Sequence, residues 1–159
     1  MKFEGKVAIV TGAGQGIGRG IALKLAQKGA SLVIADLNPE TANVVAGEIK
    51  ELGRQSIAIQ TDVVSSTSVN QMVKQVLDNF GTVDILVNNA GYVAPKMTPF
   101  FNETEEYWDK VIAVCLKGVI LCSRAVVDTM MGKFSRPLNT LSASALNSAL
   151  SDRSPVATR

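Results

Sequence analysis

Histidine is absent from the 159 residues. That excludes Ser-His-Asp and Cys-His nucleophilic machinery and any His-liganded metal. Cysteine is scarce, with only Cys115 and Cys122. They fall on one face of an expected helix, so two buried reduced thiols are expected rather than a disulfide or a metal site. The tyrosines are also few, Tyr92 and Tyr107. Charge of either sign is not in excess: 16 basic and 14 acidic residues leave +2, and no basic run occurs. A nucleic-acid partner is therefore not implied. No apolar run is long enough to cross a bilayer. The first residues enter a strand pattern directly, without the layout of a secretory leader. A cytoplasmic protein with no membrane partner is expected. What remains, 47% hydrophobic and 19% charged, is the composition of an ordinary globular domain long enough for one core.

What the sequence does contain is alternation. Apolar strand runs occur at Lys6 to Val10, Ser31 to Ala35, Ser56 to Gln60 and Asp84 to Val87. Helical periodicity lies between them. Ile17, Ile21, Ala22, Leu25 and Ala26 make one apolar face, closed by Gly29. Asn38 and Pro39 start a second helix that Gly53 stops. Val69, Met72, Val73, Val76 and Phe80 face one way on a third, closed by Gly81. Asn102 with Glu105 has the spacing of a capping box. A long helix over 103–131 follows, with Trp108, Val111, Ile112, Cys115, Val119, Cys122 and Val126 as its expected buried face. Strands and helices alternating at these lengths predict right-handed βαβ units and a doubly wound parallel sheet in three α/β/α layers, incomplete on its C-terminal side. Residues 1–131 read as that core. Residues 132–159 hold six serines and two prolines and read as a degenerate or poorly ordered tail. A fifth strand is available near 138–141, where Pro137 is tolerable only at the entrance or an edge.

Four motifs sit where strands run out. Thr11 to Gly18 links a strand to a helix with Gly12, Gly16 and Gly18 in dinucleotide-binding spacing. Gly12 allows the tight turn, Gly16 lets backbone approach a pyrophosphate, and Gly18 lets the helix pack on the sheet. Gln15, Ile17 and the helix N-terminus complete an anion site. Asp36 ends the second strand, where a carboxylate takes both ribose hydroxyls and repels a 2′-phosphate, favouring NAD over NADP. Asp62 and Val63 follow the third strand, where a side chain and an amide can meet an adenine edge; a plain turn Asp is as good a reading. Asn88, Asn89, Ala90 and Gly91 follow the fourth, at the carboxyl end where ligands of such sheets bind. Thr11 is expected to brace the glycine turn, and Arg19, Lys110 and Lys117 to be solvated.

Together these motifs resemble the short-chain dehydrogenase/reductase family over residues 5–131. NAD-dependent 3-oxoacyl-carrier-protein reductases are among the similar members. The resemblance implies NAD as cofactor and reversible hydride transfer between a secondary alcohol and a ketone, with a small carbonyl or alcohol substrate. It implies Gly12, Gln15, Gly16, Ile17, Gly18, Asp36, Asp62, Val63, Asn89, Ala90 and Gly91 as cofactor-binding, and no metal. In the family a Tyr exchanges the substrate proton, and a Lys in Tyr-x-x-x-Lys lowers its pKa from about 10. A Ser holds the substrate oxygen and an Asn on the long helix positions a relay water. Here Cys115 occupies the Asn position, and Cys cannot replace an amide that both donates and accepts. Ser142 falls at the Ser position, with Ser144 in a weaker register, and Ser142 is the candidate catalytic residue. Beyond it, Pro155 to Arg159 stand where the family shows Tyr to Lys. Tyr92 with Lys96 has the spacing, but Pro95 and its place after the fourth strand argue for a loop.

The expectation is an NAD-binding oxidoreductase sequence, C-terminally truncated, whose own turnover is very low because catalytic Tyr and Lys are missing. Two alternatives stand beside it. One is a non-catalytic nucleotide-binding module. The other is an interaction protein that pairs through an open sheet edge, a known pairing hazard, or through the 103–131 helix. That helix often lies at a dimer interface in the family, so a homo-oligomer is implied.

Overall fold

The computed structural model describes residues 2–93 and 98–132. Its strands are β1 (Val7–Thr11), β2 (Ser31–Asp36), β3 (Ser56–Gln60) and β4 (Ile85–Val87). The helices are α1 (Gly16–Gln27), α2 (Pro39–Glu51), α3 (Ser66–Phe80), α4 (Glu105–Ile112) and α5 (Gly118–Met130). A 3-10 turn, Phe100–Asn102, precedes α4, and a π-helical stretch, Ala113–Lys117, joins α4 to α5. The four strands run parallel in the order β3-β2-β1-β4, with Val7 opposite Ser31, Leu32 opposite Ser56 and Ala8 opposite Ile85. Because the strands are parallel, all four carboxyl ends open on one side, and the order of strand addition reverses between β1 and β4, which makes their junction the switch point.

Period-2 geometry explains why β1 and β2 read as unbroken apolar runs. Ala8 and Val10 point into a layer with Ala22, Ala26, Val45 and Ile49 of α1 and α2. Val7 and Ile9 point the other way, against Val69, Met72 and Val76 of α3 and Cys122 and Val126 of α5. Both faces are covered, as a parallel sheet requires. At the amino end, the Asp84 carboxylate joins β1 to β4 by accepting from Val7 N (2.9 Å) and Lys6 Nζ (2.9 Å). Partial burial opposes its charge, but those two donors and the Lys6 charge outweigh it and hold the carboxyl below its ordinary value.

The structure departs from the sequence expectations at four places. Ile17 is not on the buried face of α1; it is 78% exposed, and the buried stripe is Gly18, Ala22 and Ala26. Small residues bring this helix close to the sheet, leaving its first-turn Ile pointing outward. Asn102 caps nothing: it closes the 3-10 turn, and Thr104 caps α4, accepting from Tyr107 N at 3.3 Å. The long helix is not wound evenly. Trp108, Ile112 and Cys115 are exposed, Val119 is only half-buried, and the inward positions are Tyr107, Val111 and Val114, half-buried, then Gly118, Cys122 and Val126, buried. Upstream of Gly118 the expected face slips by one residue at Trp108 and Cys115, in favour of Tyr107 and Val114, whereas Val111 keeps its inward place. A π turn takes an extra residue, turning the helix by about 100° relative to an even 3.6 winding. The expectation of two buried thiols fails with it: Cys122 is buried and Cys115 exposed.

Candidate cofactor site

Every expected cofactor residue lies at the carboxyl end of a strand or in the segment that leaves it; Val63 is in the turn between β3 and α3. The glycine turn is built first. Gly12 N donates to Ala35 O (2.7 Å), which ties the turn to β2. Gly12 has φ +62, a conformation that a side chain disfavours. A Cβ at Gly18 would meet the Gly12 carbonyl oxygen and Asn89 Nδ2, so α1 can approach the turn only with glycine there.

Thr11 and Asn89 hold this turn against β4. Thr11 Oγ1 donates to Val87 O (3.3 Å) and accepts from Asn89 N (3.0 Å) and Ala90 N (3.1 Å). Asn89 Nδ2 donates to the carbonyls of Thr11 and Gly12, 3.0 Å each. Thr11 thus braces the turn as the sequence suggested. Asn89 does something the sequence did not suggest: its amide grips the glycine turn, and no periodicity signals that. Gly91 and Cys115 end up side by side, a Cβ on Gly91 falling 4.0 Å from Cys115 Sγ.

The start of α1 differs from the other helix starts. Asn38, Ser65 and Thr104 cap α2, α3 and α4 with side-chain oxygens. Gln15 at the start of α1 makes no side-chain cap bond, and the first turn has no acidic residue. The first helical hydrogen bond there is Arg19 N to Gln15 O (3.1 Å). The N–H groups of the first turn therefore face outward with the positive end of the helix dipole. Gly16, with φ +56, leaves open space where a Cβ would be. An anion fits this terminus.

Asp36 stands across the turn. Its Oδ2 accepts from Gly14 N (2.8 Å) and its Oδ1 from Asn38 N (3.0 Å), so the carboxylate is oriented while each oxygen retains a free lone pair. Gly14, which the sequence reading passed over, is needed for this: a Cβ there would run into Thr41 Oγ1 and stand 3.0 Å from the Asp36 carboxyl. Asp62 makes a turn, with Oδ1 accepting from Val64 N (3.1 Å) and its own N–H donating to Ser68 Oγ (3.0 Å). Val63 is nearly buried beneath it.

Tyr92 packs against Tyr107 with ring centroids 6.0 Å apart. Lys96, Ser142 and the expected strand at 138–141 lie outside the described residues. Among the described residues no group of three or more Cys, Asp or Glu is placed to hold a metal. No described helix is long and apolar enough to cross a membrane.

Residues 6–150 match the short chain dehydrogenase family. The chain belongs to that family. Short chain dehydrogenases are oxidoreductases, and similar ones are known in sequence and structure. The chain is 42% identical over 127 residues to the 3-oxoacyl-(acyl-carrier-protein) reductase of Staphylococcus epidermidis, covering 79% of this chain and 51% of that one. The NADH complex of a 3-ketoacyl-(acyl-carrier-protein) reductase from Brucella melitensis superposes with TM-score 0.74 and 38% identity, over 80% of this chain and 51% of that one. An NAD+-bound xylitol dehydrogenase does so with TM-score 0.78 and 33% identity, over 82% and 50%. The chain spans about half the length of the curated relatives it matches.

Proposed function

We propose that this chain binds NAD(H), and that the enzyme it represents transfers hydride between a secondary alcohol and a ketone. The observation that carries the reading is the uncapped N-terminus of α1 with the oriented Asp36 carboxylate across the glycine turn. The pyrophosphate is assigned to the N–H groups following Gln15, Gly16 and Ile17, and the adenosine ribose hydroxyls to Asp36. Asp62 and Val63 are assigned to the adenine side. Ala90 and Gly91, which Asn89 fixes to the turn, are assigned to the nicotinamide side. The likeness to an NADH-bound reductase and an NAD+-bound dehydrogenase supports this choice of cofactor. When bound, the nicotinamide supplies or accepts the hydride; the residues described here bind, orient and exclude water.

Asp36 also sets the cofactor preference. A carboxylate near a 2′-phosphate costs roughly 1–4 kcal/mol of repulsion, depending on the local dielectric. NADH should bind this chain at least about tenfold tighter than NADPH. Asp36→Ala should narrow that gap. Equal or tighter binding of NADPH to the unchanged chain would contradict the assignment. Turnover of a ketone by these residues alone is expected to be very low, because Tyr92 with Lys96 offers the only Tyr-x-x-x-Lys spacing in the sequence, and Pro95 inside it disfavours the helix on which the family carries that pair.

A second reading adds to the first. Trp108, Ile112, Leu116, Ile120, Val127 and Met131 leave an apolar stripe exposed along α4, the π turn and α5. A stripe of that kind marks an association surface. The start of the stripe carries Glu105, Glu106, Asp109 and Lys110, and its later half Lys117, Arg124 and Asp128, so two copies laid antiparallel bring a net acidic end against a net basic one. Sedimentation across a concentration series should show a dimer, and Ile112→Asp should return it to monomer.

A further inference from the structure

Gly118 opens α5 directly after the π turn and is buried. A Cβ there would lie 2.9 Å from Val63 Cγ2, 3.2 Å from Val63 Cβ and 3.5 Å from Val63 O. Val63 cannot easily retreat. Asp62, immediately before it, is fixed by Ser68 Oγ and by the turn to Val64 N, and Ser65 N donates to Asp62 O (3.2 Å). Beside this contact lies a narrow crevice too tight to admit water, lined by Thr11, Ala90, Val114 and Cys122 as well as Val63 and Gly118. One small space thus touches the brace of the glycine turn, the end of β4, the turn after β3 and the helix beneath them. Close-packed interiors transmit such a contact rather than absorb it.

We propose that Gly118 is a positioning residue for the cofactor: its missing side chain seats α5 against Val63 and so fixes the Asp62–Val63 wall relative to the glycine turn. The inference rests on the NAD(H) reading. A methyl at 118 pushes either α5 outward or Val63 toward the site. Because the thrust falls on the adenine side, it weakens ADP as well as NADH.

The test is a fluorescence titration with NADH and a competition with ADP, on the full chain carrying Gly118→Ala, Gly118→Ala/Val63→Ala, or neither. Gly118→Ala should weaken both ligands by about tenfold or more. Truncating Val63 in that background should recover at least about fivefold, because it restores the missing space. A general packing defect would instead lower the urea midpoint of Gly118→Ala and leave ligand affinity of the folded protein unchanged. Gly118→Ala binding within about twofold of the unchanged chain overturns the inference, as does a double variant no better than the single. If Gly118→Ala does not fold, the double variant decides: it must fold and bind NADH, and failure of either overturns the proposal. Failure of the unchanged chain to bind NADH removes the cofactor reading and this inference together. Normal binding by the unchanged chain with an unaffected Gly118→Ala removes this inference alone.

Discussion

Ile9 and Ile112 are the same side chain in opposite settings. Ile9, in the middle of β1, is 0% exposed between α3 and β2; Ile112, at the end of α4, is 54% exposed. The contrast extends to their surroundings. Around β1 and β2 every apolar face is covered and the glycine turn is tied down from three sides, by Ala35, Thr11 and Asn89. Val114 of the π turn and one face of α5 pack on the core formed with α3 and β4, while α4, the π turn and α5 show Trp108, Ile112, Leu116 and Ile120 to solvent. Apolar residues at helical spacing therefore mean different things in the two regions. In the first they make a core. In the second they also make a seam.

Replacing the two isoleucines breaks the comparison most sharply. Ile9→Ala should destabilise the fold by about 2–5 kcal/mol, as deletion from a closed core does. Ile112→Ala should change stability by less than about 0.5 kcal/mol. Urea unfolding of both measures this, and equal losses would mean that the seam is covered within the chain.

Thr11→Val comes next in size. It keeps the shape but leaves Asn89 N and Ala90 N without their acceptor, at a cost of about 1–3 kcal/mol. NADH binding should weaken with it, because the β4 end no longer holds the glycine turn. Unchanged stability would mean that the brace is dispensable.

Acid titration probes the other end of the sheet. The Asp84 pKa is lowered in the fold. Its contribution is thus present above the unfolded value near 3.8 and is lost as pH falls through the folded value. The Tm difference between the unchanged chain and Asp84→Asn should shrink as pH drops through that window. A constant difference would remove the charge from the explanation.

The smallest effect is chemical. Burial pushes the Cys122 thiol up to about 11, whereas Cys115 lies exposed on the π turn. A thiol reagent should label Cys115 in the folded protein and reach Cys122 only on unfolding. Early labelling of both would show α5 lifting from the sheet.

How much of this was legible in the sequence follows the same division. The strand limits, the Asn38 and Pro39 helix start, and the placing of Asp36 beside the glycine turn could all be read, because local periodicity and local turn chemistry determine them. Ile17 was misassigned because the helix packs on glycine and alanine, which carry weak periodic signal. The face of the long helix was misassigned in part because one π turn, invisible in composition, moves Trp108 and Cys115 off the inward face in favour of Tyr107 and Val114. The Asn89 amide and the Gly14 clearance depend on contacts between segments distant in the chain, and no window of sequence contains both partners.

If residues 7–91 carry cofactor binding and proton transfer lies elsewhere, the two separate in one sample of the 159-residue chain, titrated with NADH and then supplied with a panel of ketones. Saturable fluorescence enhancement well below about 1 mM is expected, with no measurable NADH oxidation. No saturable binding below that concentration would contradict the cofactor site. Steady turnover would show that the proton donor lies within this chain after all.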